Sequence, residues 1–385
     1  MANPSASPGP GNQPRGLFRT LGDDVQTVVG DMQRSGVRRT FSQTFADLEA
    51  FYLTNERKER LQTMGRARRT IYLGAWLLHA MFLKLTPARR VLLVLAFLSW
   101  WMGRVRFGGA QFDFNFPVVG VLLLLVILAL ELRDKLLAKD ELADGRSVQR
   151  ALMPPDRPSI GGWDIWLFTR SANDVGGDLV DYLRIDDERC GVALGDVAGK
   201  GLGAALLMAR LQASLRALIP EFHALGELGG RVNRIFHRDG PANRFASLVY
   251  LEITANHPHV RVLNAGHMPP LVLRRDGRLE EMPRGSVALG VLKGAAFDEQ
   301  AVSLEPGDLL LVYSDGVTEA TSPEGEFFGD DRLRVALAAS AGSSAEQAGQ
   351  RVLASVDAFI RDARPFDDLS LVALKRAPRP VPPPA

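Results

Sequence analysis

The stretch GGDLVDYLRIDDERCGVALGD, residues 176–196, contains two apolar strand-like segments on either side of the turn signal DDER. This pattern predicts a β-hairpin. If the turn centres on Asp187, residues equally distant from it face each other, and Asp178 and Asp196 form such a pair. Their side chains would then lie about 5 Å apart, where like charges repel and each raises the pKa of the other. The hairpin therefore predicts a place for a proton or a cation between two aspartates.

The rest of the C-terminal half continues this pattern. Strand-like segments come mostly in pairs separated by turns, and segments of helical periodicity lie between the pairs. This predicts an α+β fold with antiparallel sheets and helices packed outside them, and not a doubly wound parallel sheet. The strand-like segments are 163–168, 179–185, 190–196, 246–253, 260–265, 308–314 and 369–375, and the helical ones are 203–218, 224–238, 331–339 and 344–363.

Two more aspartates stand at the ends of apolar segments. Asp315 follows LLLVYS, and Asp367 begins DDLSLVAL. Hard divalent cations such as Mg²⁺ and Mn²⁺ prefer oxygen ligands, which aspartates at strand ends can supply while leaving positions for water. Each aspartate taken singly is typical of a turn or a helix cap. Together with the opposed pair in the hairpin, they predict a metal site.

The glycine-rich segment GDVAGKGLG, residues 195–203, has a nucleotide-binding alternative. A phosphate-binding P-loop has the pattern G-x-x-x-x-G-K-[ST]. Here the spacing between Gly195 and Gly199 is one residue too short, and Gly201 occupies the position of the hydroxyl residue. The glycines are therefore interpreted as forming a tight turn beside the metal ligands.

Three strongly apolar segments lie between residues 71 and 132. A helix that spans a membrane needs about 20 mostly apolar residues. Spans are expected at about 88–107 and 115–132, and the segment 71–86 is expected at the membrane interface or as a third span. Buried helices of a soluble domain are the alternative interpretation.

Charge predicts the orientation of these spans. Basic residues cluster between 57 and 69 and again at Arg89 and Arg90. The positive-inside rule places both clusters in the cytoplasm, so the two spans form a hairpin and the chain returns to the cytoplasm after Leu132. We therefore expect a multi-pass protein of the cytoplasmic membrane, in contact with membrane lipid and with its C-terminal domain facing the cytoplasm.

Composition and periodicity divide the chain further. The net charge of +2 indicates no nucleic-acid partner, and a single cysteine, Cys190, excludes internal disulfides. Helical spacing after the last span indicates either a helix that pairs in a homodimer or a solvated spacer helix. The expected divisions are a disordered, basic, cytoplasmic N-terminus (1–70), a membrane region (71–132), a helical linker (133–152), a globular domain (153–376) and a proline-rich tail (377–385).

Five motifs in the globular region resemble, in order and spacing, those of the SpoIIE/RsbU-type serine/threonine phosphatases. This family is the bacterial branch of the metal-dependent protein phosphatase superfamily (PPM, protein phosphatase 2C). The motifs are SANDVGGDLVDY (171–182), GDVAGKGLGAALLMA (195–209), NAGHMPPLVL (264–273), GDLLLVYSDGVTEA (307–320) and DDLSLVAL (367–374).

The resemblance implies an αββα β-sandwich with a centre of two divalent cations, Mn²⁺ or Mg²⁺, at one end. Asp196 and Asp178 would be the catalytic carboxylates. Asp368 is a weaker candidate ligand beside Asp367. Lys200 would contact the substrate phosphate or face solvent, and His267 would bind substrate or be a structural residue at the edge of the site. The implied metal ligands are Asp178, Asp196, the carbonyl of Val197, Asp315 and Asp367.

The function implied by the resemblance is hydrolysis of phosphoserine or phosphothreonine on a cytoplasmic regulatory protein, such as one in a sigma-factor pathway, through direct attack of a metal-activated water. The alternative is a catalytically silent membrane signalling module with the same fold, which binds partners without turnover.

Overall fold

The computed structural model describes residues 64–106, 113–241, 244–361, 363 and 367–377. These residues belong to two compact units, Met1–Asp134 and Lys135–Ala385. Most of the predicted disordered N-terminus, and the predicted tail beyond residue 377, lie outside the described residues.

In its described residues, from 64 onward, the first unit has helices and one short β-hairpin. A proline opens the second helix, where its missing N–H would have no helical partner, and a glycine with φ of 61° ends it. The helix is therefore shorter than the predicted span, because the chain turns into the hairpin at this glycine. The elements are α1 (Arg66–Lys84), α2 (Pro87–Met102), β1 (Arg104–Arg106), β2 (Asp113–Asn115), antiparallel to β1, and the start of α3 (Phe116–Leu152).

Helices α2 and α3 pack closely at one point and share an ion-pair cluster at another. A Cβ atom on Gly120 would lie 2.6 Å from Ser99 Oγ, so a larger residue would force the helices apart. Arg89 is buried and donates to Glu131 Oε1 at 2.8 Å and to Asp134 Oδ2 at 2.5 Å. The two helices are thus held together by ion pairs as well as by close packing.

Among the described residues, two helices are long and apolar enough to cross a membrane. One is α3, whose apolar side chains are largely exposed in the first unit. The other begins at Leu202 in the second unit, where its apolar face is buried in the domain core. Helix α3 continues without a break to Leu152, so the predicted linker is helical.

The second unit is a sandwich of two antiparallel sheets. One sheet has the order β10-β9-β12-β13-β4-β3 and the other β11-β8-β7-β6-β5. The strands are β3 (Ser159–Ile160), β4 (Trp163–Arg170), β5 (Asp178–Arg184), β6 (Arg189–Val197), β7 (Ala246–Thr254), β8 (His259–Ala265), β9 (Leu271–Leu273), β10 (Leu279–Glu281), β11 (Glu299–Ser303), β12 (Leu309–Tyr313) and β13 (Leu369–Arg376).

Helices cover both outer faces of the sandwich. They are α4 (Leu202–Leu218), α5 (Leu225–Asp239), the short α6 (Asp315–Thr318), α7 (Gly329–Ala338) and α8 (Ala345–Ile360). The core has three parts: one between the sheets, one under α4 and α5, and one under α7 and α8. This αββα layering confirms the predicted antiparallel sandwich flanked by helices.

Strand alternation in β6 explains where the site forms. Val192 and Leu194 pack between the sheets, whereas Ala193 and Val197 pack against the helical layer. Successive side chains of a strand point to opposite faces, so Asp196 belongs to the inner face, at the end of the strand. A carboxylate is thereby directed to the open end of the sandwich, where the apolar core stops.

Candidate metal centre

The hairpin of β5 and β6 brings two carboxylates together. Asp178 pairs directly with Asp196 in the strand register, which confirms the prediction from the turn centre. Asp178 is only 4% exposed. A Cβ atom on Gly177 would lie 3.2 Å from the carbonyl oxygen of Val197 and 3.7 Å from Asp196 Oδ1. Three of the predicted ligands, two carboxylates and one carbonyl, thus meet at the open end of one hairpin.

Hydroxyl groups from the opposite sheet orient the Asp178 carboxylate. Ser370 Oγ donates to Asp178 Oδ2 at 2.5 Å and lies 2.9 Å from Thr169 Oγ1. The backbone N–H of Ser370 donates to Ser314 Oγ at 2.9 Å, and Ser314 Oγ donates to the Asp368 carbonyl at 3.0 Å. Because both sheets contribute, closure of the sandwich determines which way this carboxylate faces.

Asp368 holds the loop that leads into β5. Its carboxylate accepts backbone N–H groups of Ala172 at 2.8 Å and of Gly177 at 2.6 Å, with a longer contact of 3.4 Å to the N–H of Asp178. A Cβ atom on Gly176 would lie 2.5 Å from Asp368 Oδ2, so only glycine fits beside this carboxylate. These contacts occupy Asp368 with backbone amides. Its sequence neighbour Asp367 instead forms an ion pair with Lys200, with Nζ 2.9 Å from Oδ2.

The carboxylates influence each other's pKa. Burial, and next the charge of Asp196, hold the pKa of Asp178 well above its ordinary value. Burial, followed by the charges of Asp315 and Asp367, raises the pKa of Asp196 to about 7. Burial, followed by Glu319 and Asp367, also raises the pKa of Asp315. A cation placed among these groups would relieve the repulsion that raises these pKa values.

The donor set fits a hydrated divalent cation. Within the part of the chain that the structure describes, no three His, Cys, Asp or Glu side chains form a ready-made cage. The ligands would be carboxylate and carbonyl oxygens with water completing the coordination, which is how Mg²⁺ is usually held. The predicted ligands are oxygen donors of the kind that Mg²⁺ and Mn²⁺ prefer.

His267 lies inside the fold. It is buried, and burial lowers its pKa to about 4, so the ring is neutral. Nε2 donates to the Tyr313 carbonyl at 3.0 Å, which leaves Nδ1 to accept from Ser247 Oγ at 2.8 Å. Ser247 is the register partner of Asp196 on β7. His267 thus links β12 to the strand beside the metal site, and these contacts favour a supporting role over substrate binding.

Two contacts beside the site had no clear signal in the sequence. Gln149, near the end of α3, donates through Nε2 to the Gly176 carbonyl at 2.9 Å and accepts the Gly176 N–H through Oε1 at 3.1 Å. The Arg244 guanidinium donates to the Ala198 carbonyl. Helical spacing predicted only a helix around Gln149, and Arg244 lies outside every quoted motif. Tertiary contacts alone place Gln149 against the loop before β5 and Arg244 against the glycine-rich turn after β6.

Comparison with known proteins identifies the family of the C-terminal domain. The family model described as Stage II sporulation protein E (SpoIIE) matches residues 186–377. The protein IcfG of Synechocystis is 27% identical over 61% of this chain and 41% of its own length. Phosphoserine phosphatase RsbU of Bacillus subtilis is 25% identical over 62% of this chain and 70% of its own length. The chain thus spans less than half of the first of these relatives.

Solved structures share the fold. The RsbU and RsbW domains of Rv1364c from Mycobacterium tuberculosis match with 27% identity and a TM-score of 0.50, over 58% of this chain and 62% of that one. The SiaA-PP2C domain of Pseudomonas aeruginosa matches with 16% identity and a TM-score of 0.55, over 63% of this chain and 98% of that one. Through its C-terminal domain, the chain belongs to the SpoIIE/RsbU-type serine/threonine phosphatases of the metal-dependent PPM superfamily.

Proposed function

We propose that this protein is a membrane-anchored, metal-dependent phosphatase that hydrolyses phosphoserine or phosphothreonine on a cytoplasmic regulatory protein. The observation that carries the proposal is the register pair of Asp178 and Asp196, two carboxylates held opposite each other at the open end of a closed sandwich. The family supports the reaction class, and the name of RsbU, phosphoserine phosphatase, supports the substrate class.

Five groups would hold two divalent cations, Mn²⁺ or Mg²⁺. A cation pair bound here would supply an activated water as nucleophile and would neutralise charge on the phosphoryl oxygens. The chain's own residues prepare the site: Ser370 orients the Asp178 carboxylate, and Asp368 holds the loop before it. The five proposed ligand groups are the carboxylates of Asp178, Asp196, Asp315 and Asp367 and the carbonyl of Val197.

The neighbourhood of Asp315 argues against a covalent phosphoenzyme. Haloacid-dehalogenase-type phosphatases use an aspartate nucleophile followed two residues later by an acidic residue, and Val317 occupies that position here. Val317 is buried in the core under α7 and α8. Direct attack of water on phosphorus therefore fits this site better than attack by Asp315.

The anchor is inferred from the first unit. Helix α3 is long and apolar enough to span a membrane, and α2 packs beside it with large apolar side chains exposed. Lipid can cover such surfaces, whereas water cannot without cost. The basic residues between 57 and 69 and at Arg89 and Arg90 favour a cytoplasmic location for the C-terminal domain. The linker part of α3 would allow pairing of two chains as a homodimer.

The direct test is hydrolysis of an aryl phosphate by the full chain in detergent. We expect turnover with Mn²⁺ or Mg²⁺, none with chelator, and a loss on the order of 1,000-fold in Asp196→Asn, because a ligand between the metal positions is removed. Calorimetric titration with Mn²⁺ should show tight binding that Asp196→Asn weakens. If the wild type binds no metal and releases no phosphate, the silent signalling module is the correct interpretation.

Sedimentation tests the anchor separately. The full chain should remain with membranes after washes at high salt and at alkaline pH, because apolar contacts with lipid do not depend on ionic attraction. Release of the protein by salt alone would contradict a spanning hairpin and would indicate surface attachment through the basic residues.

A further inference from the structure

Four exposed apolar residues lie on two segments that pair with each other beside the turn at residues 198–201, which we call the metal turn. Phe245 is 46% exposed and Val291 is 50% exposed, and Val287 and Leu292 are exposed as well. We call these four residues the Phe245 ledge. Exposed apolar residues that gather at one place, rather than singly, mark surfaces that bind a partner. The position of the ledge indicates which partner.

Phe245 extends the strand that runs beside Asp196. Its carbonyl accepts the N–H of Ala198 at 2.9 Å, which continues the pairing of β6 and β7 by one residue. Ala246 packs against the helical layer, so alternation places Phe245 on the inner face, as it does Ser247. Asp196 pairs with Ser247 and shares that face. The Phe245 side chain therefore emerges at the mouth of the metal site.

The loop that carries the rest of the ledge is firmly held. Leu289 exchanges both backbone hydrogen bonds with Ala246, at 3.0 and 2.8 Å. The buried side chain of Asn233 on α5 accepts the N–H of Gly290 at 2.8 Å and donates to the Leu292 carbonyl at 2.9 Å. His237 Nδ1 also lies 3.0 Å from the Gly290 carbonyl. A fixed loop loses little entropy on binding, so its exposed apolar tip is ready to receive a ligand.

Charge around the ledge favours a phosphorylated segment. Arg284 and Lys293 are exposed at the two ends of the loop, and Arg244 directly precedes Phe245 with its guanidinium on the metal turn. Within residues 284–298 the acidic residue is Asp298, whose N–H contacts Ser286 Oγ at 3.2 Å. Basic side chains thus outnumber acidic ones on the segments that carry the ledge, which complements a phosphate-bearing chain.

We propose that the Phe245 ledge binds apolar residues that flank the phosphoserine of the protein substrate, and so selects phosphoproteins over small phosphate esters. This inference rests on the proposed phosphatase function. A phosphoserine that enters the metal site brings chain on both sides of it, and the ledge is the apolar surface that meets that chain first. The basic side chains around it attract the same segment without reading its sequence.

The test compares two phosphoserine peptides of equal length and net charge, using the full chain in detergent with Mn²⁺. One peptide has leucines on both sides of the phosphoserine, and the other has serines there. We expect the wild type to prefer the leucine peptide by about tenfold in kcat/KM, which is typical of one apolar pocket. Phe245→Ser and Val291→Ser should each bring the ratio towards unity. A general loss of catalysis lowers both rates equally and leaves the ratio unchanged.

Val335→Ser is the matched control, because Val335 is 71% exposed on α7, outside the ledge, and its variant should keep the wild-type ratio. Equal rates on both peptides in the wild type, or a preference that survives both ledge variants, would overturn the proposal. If no substrate is hydrolysed, the phosphatase function fails. Fluorescence anisotropy of the labelled peptides then still tests the ledge, because it measures the ratio of the affinities for the leucine and serine peptides in the wild type and the variants. The ledge variants could instead change only the hydrolysis of aryl phosphate, and only when the protein is in nanodiscs with anionic lipid. That result would assign the surface to the membrane and refute the proposal.

Discussion

The two units place their apolar and charged side chains in opposite ways. In the first unit, Trp101 on α2 is 90% exposed while Arg89 is buried against two carboxylates. In the second unit, Leu211 and Leu215 on α4 are buried, and the buried carboxylate of Asp178 stands opposite that of Asp196. A helix exposes apolar side chains at little cost only where lipid covers them, so the contrast supports different surroundings for the two units.

The two units also differ in how their charged clusters are compensated. Arg89 is satisfied by the carboxylates of Glu131 and Asp134 on the neighbouring helix, so that cluster needs no ligand. In the second unit, the charge of Asp196 raises the pKa of Asp178, and the charges of Asp315 and Asp367 raise the pKa of Asp196, so this cluster carries a surplus of like charge. The two clusters therefore differ in charge balance: opposite charges cancel around Arg89, whereas like charges remain around Asp196. Four sets of substitutions test this distinction.

The largest expected effect concerns neighbouring carboxylates with different tasks. Asp368→Ala leaves buried amides of the loop before β5 without their acceptor, so we expect kcat/KM on aryl phosphate to fall on the order of 100-fold and the domain to lose about 3 kcal/mol of stability. Thermal unfolding and the phosphatase assay measure both. Asp367→Ala should reduce metal binding and activity while leaving the thermal midpoint of the chelated protein close to wild type. Identical effects in the two variants would show that both residues have the same task.

Removal of the Ser370 hydroxyl is expected to act next most strongly. Ser370→Ala frees the Asp178 carboxylate to rotate, so metal affinity should fall about tenfold, as is usual when a group that orients a ligand is lost. Calorimetric titration with Mn²⁺ measures the change. Ser370→Thr keeps the hydroxyl and should retain wild-type affinity. If the threonine variant loses Mn²⁺ affinity, or the alanine variant keeps it, Ser370 does not orient the ligand.

In the first unit, loss of a charge should alter stability without altering chemistry. Arg89→Ala leaves Glu131 and Asp134 side by side without their common cation, so the thermal midpoint in detergent should fall by a few degrees. Circular dichroism follows the unfolding, and aryl phosphate hydrolysis should stay at the wild-type rate. Arg133→Ala, which removes an exposed partner of Asp134, should shift the midpoint less. A change in catalytic rate in Arg89→Ala would contradict the separation of the two charge clusters.

The smallest effect concerns the neutral histidine of the second unit. The pKa of His267 is lowered to about 4 by burial, against an ordinary value near 6.5, so the unfolded chain binds more protons between these values. Stability from this group is therefore present above pH 6.5 and is lost as the pH falls. Between pH 7 and 5.5 the wild type should lose about 1 kcal/mol that His267→Gln does not lose. Parallel pH profiles for the two proteins would show that His267 is not buried as a neutral ring.

Much of the architecture was predictable because it depends on short-range patterns. Strand pairs and turn chemistry predicted antiparallel sheets with helices outside them, and the family resemblance implied that the sheets form a sandwich. The turn centre placed Asp178 opposite Asp196, as the register confirms. Apolar length predicted the long helix α3, although α2 ends earlier than expected because Gly103 turns the chain. These features are set by neighbours within a few residues of each other.

What the sequence determined by itself is therefore the hairpin with its opposed aspartates, the antiparallel strand pairs with helices between them and the long apolar helix of the first unit. Only the tertiary structure decided that Asp368 binds backbone amides, that His267 is a buried support and that Ser370 orients Asp178. Ser370 and Asp178 are 192 residues apart in the chain, and their contact exists only because the two sheets close on each other. Periodicity reports which face of a strand a residue occupies, whereas the partner across the sandwich depends on the packing of both sheets at once.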